Sequence, residues 1–339
     1  MTIALFLPLQ KIQIMKTLIQ DFSKHLADAL VIGKNANLTP NIKTFKNVLI
    51  TGMGGSGIGG TVVAQLATNV SVPIAVNNTY DLPSWVDENT LVIGSTYSGN
   101  TEETISVVEA AIAKGAEVAF VTSGGRAGEL SEKHNLNQIV LVGGNPPRSQ
   151  FAYSVVSQMF LLNHYGITSF EIEKEINATI DLLDREEETT ISESRTIAEE
   201  IANTMPIIYC AAGYDGVATR FRQQLNENSK MLCWHHVIPE MNHNELVGWA
   251  GGNENMSVII LRNEDDSAKN QQRIEINKNI ISRHTNQIFE IWSKGESKIA
   301  RSFYHVHFED WISMHLSEIN EVDVMEIDSI NFLKAELAK

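Results

Sequence analysis

Cysteine is nearly absent from this chain: of 339 residues only Cys210 and Cys233 are cysteines. They form no C-x-x-C pair, so neither a disulfide framework nor a thiol redox motif is expected, and the plain reading is a reduced, cytoplasmic protein. Long apolar runs are missing too. None reaches the roughly 18 residues that a membrane span needs. The opening "MTIALFLPLQK" is apolar but brief, has no basic residue before its apolar part and is interrupted by Pro8, so no secretory signal is expected. Basic residues are outnumbered, 26 Lys and Arg against 41 Asp and Glu, for a formal net charge of −15. That deficit argues against a nucleic-acid partner, whose phosphates need clustered cations. It leaves small phosphorylated ligands open, because backbone dipoles can hold an anion inside an acidic protein.

What is present is ordinary globular material: 43% hydrophobic and 20% charged residues, enough for about two domains. Apolar positions at helical spacing over 9–31 predict a helical arm that packs on the body. From residue 47 the pattern becomes strand, turn, helix, repeated. "NVLIT" (47–51), "PIAVN" (73–77), "TLVIGS" (90–95), "EVAFVTS" (117–123) and "QIVLVG" (138–143) are near-continuous apolar runs, as expected of parallel strands covered on both faces. The charged segment 171–203 is helical in pattern and connects to a second α/β half. There "PIIYCAAG" (206–213), "SVIILR" (257–262) and "NQIFEIW" (286–292) are strands, with helices through Arg220 to Lys230, near 270–282 and near 308–320.

The first strand ends in "TGMGGSGIGG". Gly52, Gly54 and Gly57 satisfy G-x-G-x-x-G, the dinucleotide fingerprint. The rest of that fingerprint fails. Asn77 and Asn78 end the second strand, where a ribose-binding acid belongs, and no Lys-Ser or Lys-Thr closes a Walker loop. NAD binding is therefore the minority reading. The third strand favours another ligand. It leaves into "STYSGNTEET" (95–104), rich in hydroxyls, with Thr101 or Asn100 as a helix N-cap and Glu102 and Glu103 in the first turn. In a sheet of order 2-1-3-4-5 the loops after strands one and three share a crevice. Ser56 and Ser98 would face one anion there. Either loop alone is more simply turn and cap chemistry; the pair favours a phosphate site.

"GMGGSGIGG" and "STYSGNTEET" resemble the paired loops of the sugar isomerase (SIS) domain. With "PPRS", "NENSK", "PEMNHNELVGW" and the closing "INFLKAEL", the chain resembles the bifunctional phosphoglucose/phosphomannose isomerase family over about residues 45 to 335. The resemblance implies an α/β fold of two SIS-type (flavodoxin-like) domains, each a parallel sheet flanked by helices, with an N-terminal helical arm. Residues 1–40 would be the arm, 41–168 the first SIS domain with the phosphate loops, 169–195 a helical connection, and 196–339 the second SIS domain with its C-terminal helix. It implies a phosphate pocket of Gly55, Ser56, Thr96, Ser98 and Thr101, with Arg148 closing over the substrate; the family more often has serine at the place of Thr96. It implies Glu227, His243 and Lys334 as the catalytic residues, a homodimer in which His243 comes from the partner subunit, and no cofactor or metal.

The chemistry suits those residue types. Aldose–ketose interconversion moves one proton between neighbouring carbons through a cis-enediol or enediolate, and one carboxylate can serve both carbons. Ring opening needs a proton donor and acceptor, roles open to His243 and Lys334. The plainer reading of Glu227 is a solvated carboxylate at a helix end. His235, His236 and His243 lie close in sequence with Glu245 nearby, but no H-E-x-x-H appears and a zinc site is not expected. His305 and His307 alternate as strand neighbours would, and packing or surface is their simplest role. Trp234 and Trp249 bracket the histidine loop and would anchor it by burial. The expected function is a metal-independent isomerase of glucose 6-phosphate and mannose 6-phosphate with fructose 6-phosphate. Alternatives are a non-catalytic phosphosugar-binding SIS regulator, an isomerase of another phosphosugar, and an NAD oxidoreductase.

Overall fold

The computed structural model describes residues 3–337 and 339, with side chains from Gln10 onward; residues 1 and 2 of the expected arm lie outside the described residues. The chain divides into two compact units. One is Phe22–Asp184 with Gly295–Ala300. The other is Met1–Asp21, Arg185–Lys294 and Arg301–Lys339. The arm is two helices, α1 (Ile3–Gln20) in the latter unit and α2 (Phe22–Lys34) in the former.

The unit containing residues 22–184 holds five parallel strands: β1 (Asn47–Thr51), β2 (Ile74–Asn77), β3 (Thr90–Thr96), β4 (Glu117–Thr122) and β5 (Asn137–Val140), in the order β2-β1-β3-β4-β5. Between or after them run α3 (Gly54–Leu66), α4 (Glu102–Ala113), α5 (Gly125–His134) and α6 (Phe151–His164). The continuous apolar strands are explained by burial on both faces. Every residue of β3 is buried, and all of β4 except Glu117. On one face Leu49, Val92 and Phe120 pack with Ile105 and Val108 of α4 and Leu130 of α5. Each such side chain contributes about 1.5–3 kcal/mol of burial. Ile50 lies between Val76 of β2 and Ile93 of β3, so β1 and β3 flank the point where the strand order reverses, and the loops after both leave on one side.

The charged stretch is one 30-residue helix, α7 (Ile172–Ile201), and the division between units falls within it, after Asp184. The second unit's sheet has four parallel strands: β6 (Met205–Ala211), β7 (Trp234–Ile238), β8 (Met256–Arg262) and β9 (Ile288–Trp292), in the order β7-β6-β8-β9. Its helices include α8 (Asp215–Ser229), the short α9 (Glu245–Gly248), α10 (Ala268–Ile281), α11 (Lys298–Ile319) and α12 (Asp328–Leu337). Two expectations change. β7, "WHHVI", was not expected as a strand. Its polar centre hides it because it is an edge strand, with four of its five residues half-buried. His305 and His307 are not strand neighbours: they lie in α11, which begins ten residues earlier than its pattern suggested. Residues 301–317 of that helix are buried all round, so no amphipathic stripe marks it.

Among the described residues no helix is long and apolar enough to cross a membrane.

Candidate active site

The glycine turn after β1 is built by close approach. A Cβ on Gly57 would come 2.5 Å from Gly52 O, and one on Gly52 would come 2.6 Å from Ser95 O. These glycines pack the turn against itself and against β3. Asn78, standing where a dinucleotide fold needs a free carboxylate, donates from Nδ2 to Gly52 O at 2.6 Å. Its side chain is spent on holding the turn.

Ser56 sits in the first turn of α3 and is buried. Its Oγ accepts the buried N–H of Tyr97 at 3.1 Å, which straps the loop after β1 to the loop after β3. Thr96 and Thr101 share a hydrogen bond between their hydroxyls at 2.9 Å. Ser98, exposed at the tip, accepts from Asn100 N–H at 3.3 Å. Gly99 has φ +73°, and a Cβ there would overlap Gly124 O, so only glycine fits that turn. Thr101 is the N-cap of α4 by position, although its hydroxyl is turned to Thr96. The first-turn N–H groups of α3 and α4 and both positive dipole ends therefore open at the same edge of the sheet.

The "PPRS" segment arrives at the same place. Pro147–Ser149 is a single 3-10 turn, and a Cβ on Gly55 would lie 3.2 Å from Pro147 O and 3.6 Å from Arg148 Cα. Tyr97 ties this side down as well: its hydroxyl donates to Val142 O at 3.0 Å and accepts from Asn145 N at 3.2 Å. Arg148 is buried. All six phosphate-loop candidates thus fall in one unit, and Gly55, Ser56, the 96–101 loop and the Arg148 turn are neighbours there.

The three catalytic candidates lie in the other unit. Glu227 is half-buried near the carboxyl end of α8. Its motif holds that end still. Asn228 Nδ2 donates to Ser313 Oγ at 3.0 Å, and Ser229 Oγ donates to Ser313 O at 2.8 Å. Lys230, left-handed at φ +56°, donates from Nζ to Glu227 O at 2.5 Å and to Glu326 O at 2.7 Å, tying α8 to the turn before α12. One and two helical turns back, Gln224 and Arg220 both donate to the buried Asp310 of α11, with Arg220 Nη2 at 2.9 Å and Gln224 Nε2 at 2.6 Å.

His243 ends a 3-10 turn (Glu240–His243) after β7 and is exposed. The loop around it is anchored as its tryptophans suggested, through polar handles as well as burial. Trp249 is buried and donates from Nε1 to Tyr209 OH at 3.0 Å. Tyr209 donates to Glu245 Oε1, which also accepts from Trp234 Nε1 at 3.0 Å. Burial and the Glu245 carboxylate hold the Tyr209 phenol protonated, well above its usual range. Lys334 is on α12, which buries none of its side chains.

His235 is bound to Thr219 Oγ1 at 2.9 Å, and burial pushes its pKa down. Among the described residues no group of three or more His, Cys, Asp and Glu side chains is placed to hold a metal ion. His305 is fully buried, pairs Nε2 with Asn263 Oδ1 at 3.1 Å, and is pushed down to about 3 by that burial. Sequence reasoning missed Tyr97, Asn78, Tyr209 and Ser313. Each acts through a contact to a residue distant in the chain, which no local pattern announces.

Residues 190–337 match the model of the bacterial phospho-glucose isomerase C-terminal SIS domain. A bifunctional phosphoglucose/phosphomannose isomerase from Caldicellulosiruptor bescii is 32% identical over 333 residues, 95% of this chain and 98% of that one. This chain belongs to the bifunctional phosphoglucose/phosphomannose isomerase family. It is an isomerase. A second member, from Thermoplasma acidophilum, is 34% identical over 87% of this chain and 91% of its own. The fold is shared with the C-terminal domain of glucosamine-fructose-6-phosphate aminotransferase from Francisella tularensis, at TM-score 0.71 and 14% identity, covering 91% of this chain and 97% of that one. In this chain "NENSK" forms a pinned helix end and "NHNELVGW" a doubly anchored loop.

Proposed function

We propose that this isomerase interconverts glucose 6-phosphate and mannose 6-phosphate with fructose 6-phosphate, without a metal, through ring opening and a cis-enediol or enediolate. The observation that carries the proposal is the Ser56–Tyr97 strap. It presents two helix amino ends and a set of small hydroxyls to one anion, with no lysine needed. Gly55, Ser56, Thr96, Ser98 and Thr101 hold the phosphate, and Arg148 adds a guanidinium contact. Glu227 takes a proton from one carbon, exchanges it with solvent during the life of the enediol, and delivers a proton to the neighbouring carbon. His243 and Lys334 move the protons of ring opening.

The two aldoses differ in configuration only at the carbon that loses its proton. One planar enediol erases that difference, which is the chemical ground for dual specificity. The SIS domains are assigned to 41–168 and 196–339, with the arm at 1–40 and the connection at 169–195. The protein acts in the cytoplasm as a homodimer in which His243 reaches the partner's site. The exposed His243 and the exposed apolar residues Ile330, Phe332, Leu333 and Leu337 of α12 support the dimer reading.

The test is turnover of each aldose phosphate separately in EDTA, reading fructose 6-phosphate. Activity on both is expected. Activity on glucose 6-phosphate alone would reject dual specificity. Binding without turnover would favour the regulatory reading, and loss of activity in EDTA that zinc restores would overturn the metal-free mechanism.

A further inference from the structure

The second sheet stops one strand short. In the five-stranded sheet β4 is flanked by β5. In the four-stranded sheet β9 stands in the corresponding place beyond β8, and no strand follows it among the described residues. The consequence shows in burial: Val118–Thr122 of β4 are buried, whereas Ile288, Phe289 and Glu290 of β9 are half-buried and Trp292 is exposed. Two hydrogen bonds fix which backbone groups are left over. Gln287 O accepts from Val258 N at 2.8 Å, and Ser293 N donates to Arg262 O at 2.9 Å. Alternate residues of a parallel strand serve opposite neighbours. Residues 287, 289, 291 and 293 therefore face β8, and the N–H and C=O groups of Glu290 and Trp292 point away from the sheet.

Beside this edge lies a groove of about 490 Å³, lined by Ile197 of α7, Ile291, Trp292, Tyr304 and Phe308, with Glu193 on its wall. Open edges are ordinarily blunted by proline, lysine or an inward charge. β9 reads "IFEIW" and has no proline or lysine. Its one charge, Glu290, is neutralised by Arg262 and by Lys278 at 2.5 Å. Lys294, also on the groove, pairs with Glu186 at 2.7 Å. Among the described residues, Glu193 is the groove's one charge without an ion pair.

We propose that β9 and this groove dock an extended, basic segment of another protein. The segment adds as a fifth strand on the backbone groups of Glu290 and Trp292, places apolar side chains in the groove and brings a lysine or arginine to Glu193. A second copy of this chain fits less well. A β9 edge from a second copy carries no lysine or arginine to meet Glu193, and each chain has a formal charge of −15.

The test uses the full chain and three dye-labelled heptapeptides: one alternating lysine and valine, its fully N-methylated counterpart, and one alternating glutamate and valine. Fluorescence anisotropy should show the lysine peptide binding more tightly than about 1 mM, with the other two not bound. Glu193→Lys should weaken binding by about three- to ten-fold and leave isomerase turnover unchanged. Hydrogen exchange at the Glu290 and Trp292 amides should slow when the lysine peptide is present. No binding in the millimolar range, equal binding of the N-methylated peptide, or undiminished binding to the Glu193 variant would overturn the proposal. Protection of those amides that rises with protein concentration and without peptide would overturn it in favour of a second copy.

Discussion

Ser56→Ala separates two roles that one hydroxyl plays. Ser56 Oγ is the acceptor for the buried Tyr97 N–H. Removing it leaves that donor without a partner, at about 1–3 kcal/mol. At about 2–4 °C per kcal/mol the fall in Tm is roughly 2–12 °C. The same hydroxyl is assigned to the phosphate. A hydrogen bond to a charged group is worth about 1.5–3 kcal/mol, so KM should rise about 10- to 150-fold. Ser98→Ala is the internal control. Ser98 is exposed, and its Oγ accepts at 3.3 Å from an exposed N–H, so stability should move by no more than about 0.5 kcal/mol while KM rises over the same range. Thermal unfolding by circular dichroism and steady-state kinetics on fructose 6-phosphate give both readouts. An unchanged Tm in the Ser56 variant would refute the strap. Unchanged KM in both variants would refute the phosphate site even if the Tm falls.

Glu227→Gln should lower kcat by about 10²–10⁴, with phosphosugar affinity and Tm close to wild type, since the helix end is pinned by Asn228, Ser229 and Lys230. A fall in affinity as large as that in kcat would reassign Glu227 to binding. Tyr209→Phe removes the donor to Glu245 and the acceptor of Trp249 Nε1. Stability should drop by about 1–3 kcal/mol, and kcat should drop more than KM because the loop carrying His243 loosens. Glu309 of α11 has both carboxylate oxygens buried without a hydrogen-bond partner, and burial pushes its carboxyl well above the usual range, against the neighbouring Arg220. The native state then holds a proton that the unfolded chain has released above about pH 4.3. Stability must fall as pH rises, by about 1.4 kcal/mol per pH unit. His305, pushed down to about 3, has the opposite slope and contributes only below about pH 6.5. Urea unfolding at rising pH from about 5 should show wild type losing stability relative to Glu309→Gln, the His305 contribution cancelling in the difference. Parallel curves would mean that Glu309 is ionised in the folded protein.

The first sheet was legible because each of its strands is a continuous apolar run ending at glycine or a polar turn. The order 2-1-3-4-5, the condition set for a crevice shared by the loops after strands one and three, is the order the sheet has. The two loops proposed for the phosphate were placed for the same reason: Gly54–Ser56 and Ser98–Thr101 sit at strand ends, where a loop must open. β7 escaped notice because an edge strand tolerates His235 and His236 at its centre. α11 was read too short because a helix buried on every side has no polar stripe to mark its start. The strap from Ser56 to Tyr97 and the pin from Ser229 to Ser313 join residues 41 and 84 positions apart. Such pairs are set by packing and leave no spacing signature. Nothing in the local sequence "HFEDW" marks Glu309 as buried, and only the folded chain shows it.

The most direct test of the shared enediol is isomerisation of fructose 6-phosphate in D₂O, followed by NMR. Proton transfer through one planar intermediate predicts both glucose 6-phosphate and mannose 6-phosphate as products, each carrying deuterium at C2. Products that gain no deuterium even after many turnovers, as a direct hydride shift would give, or formation of a single epimer, would contradict it.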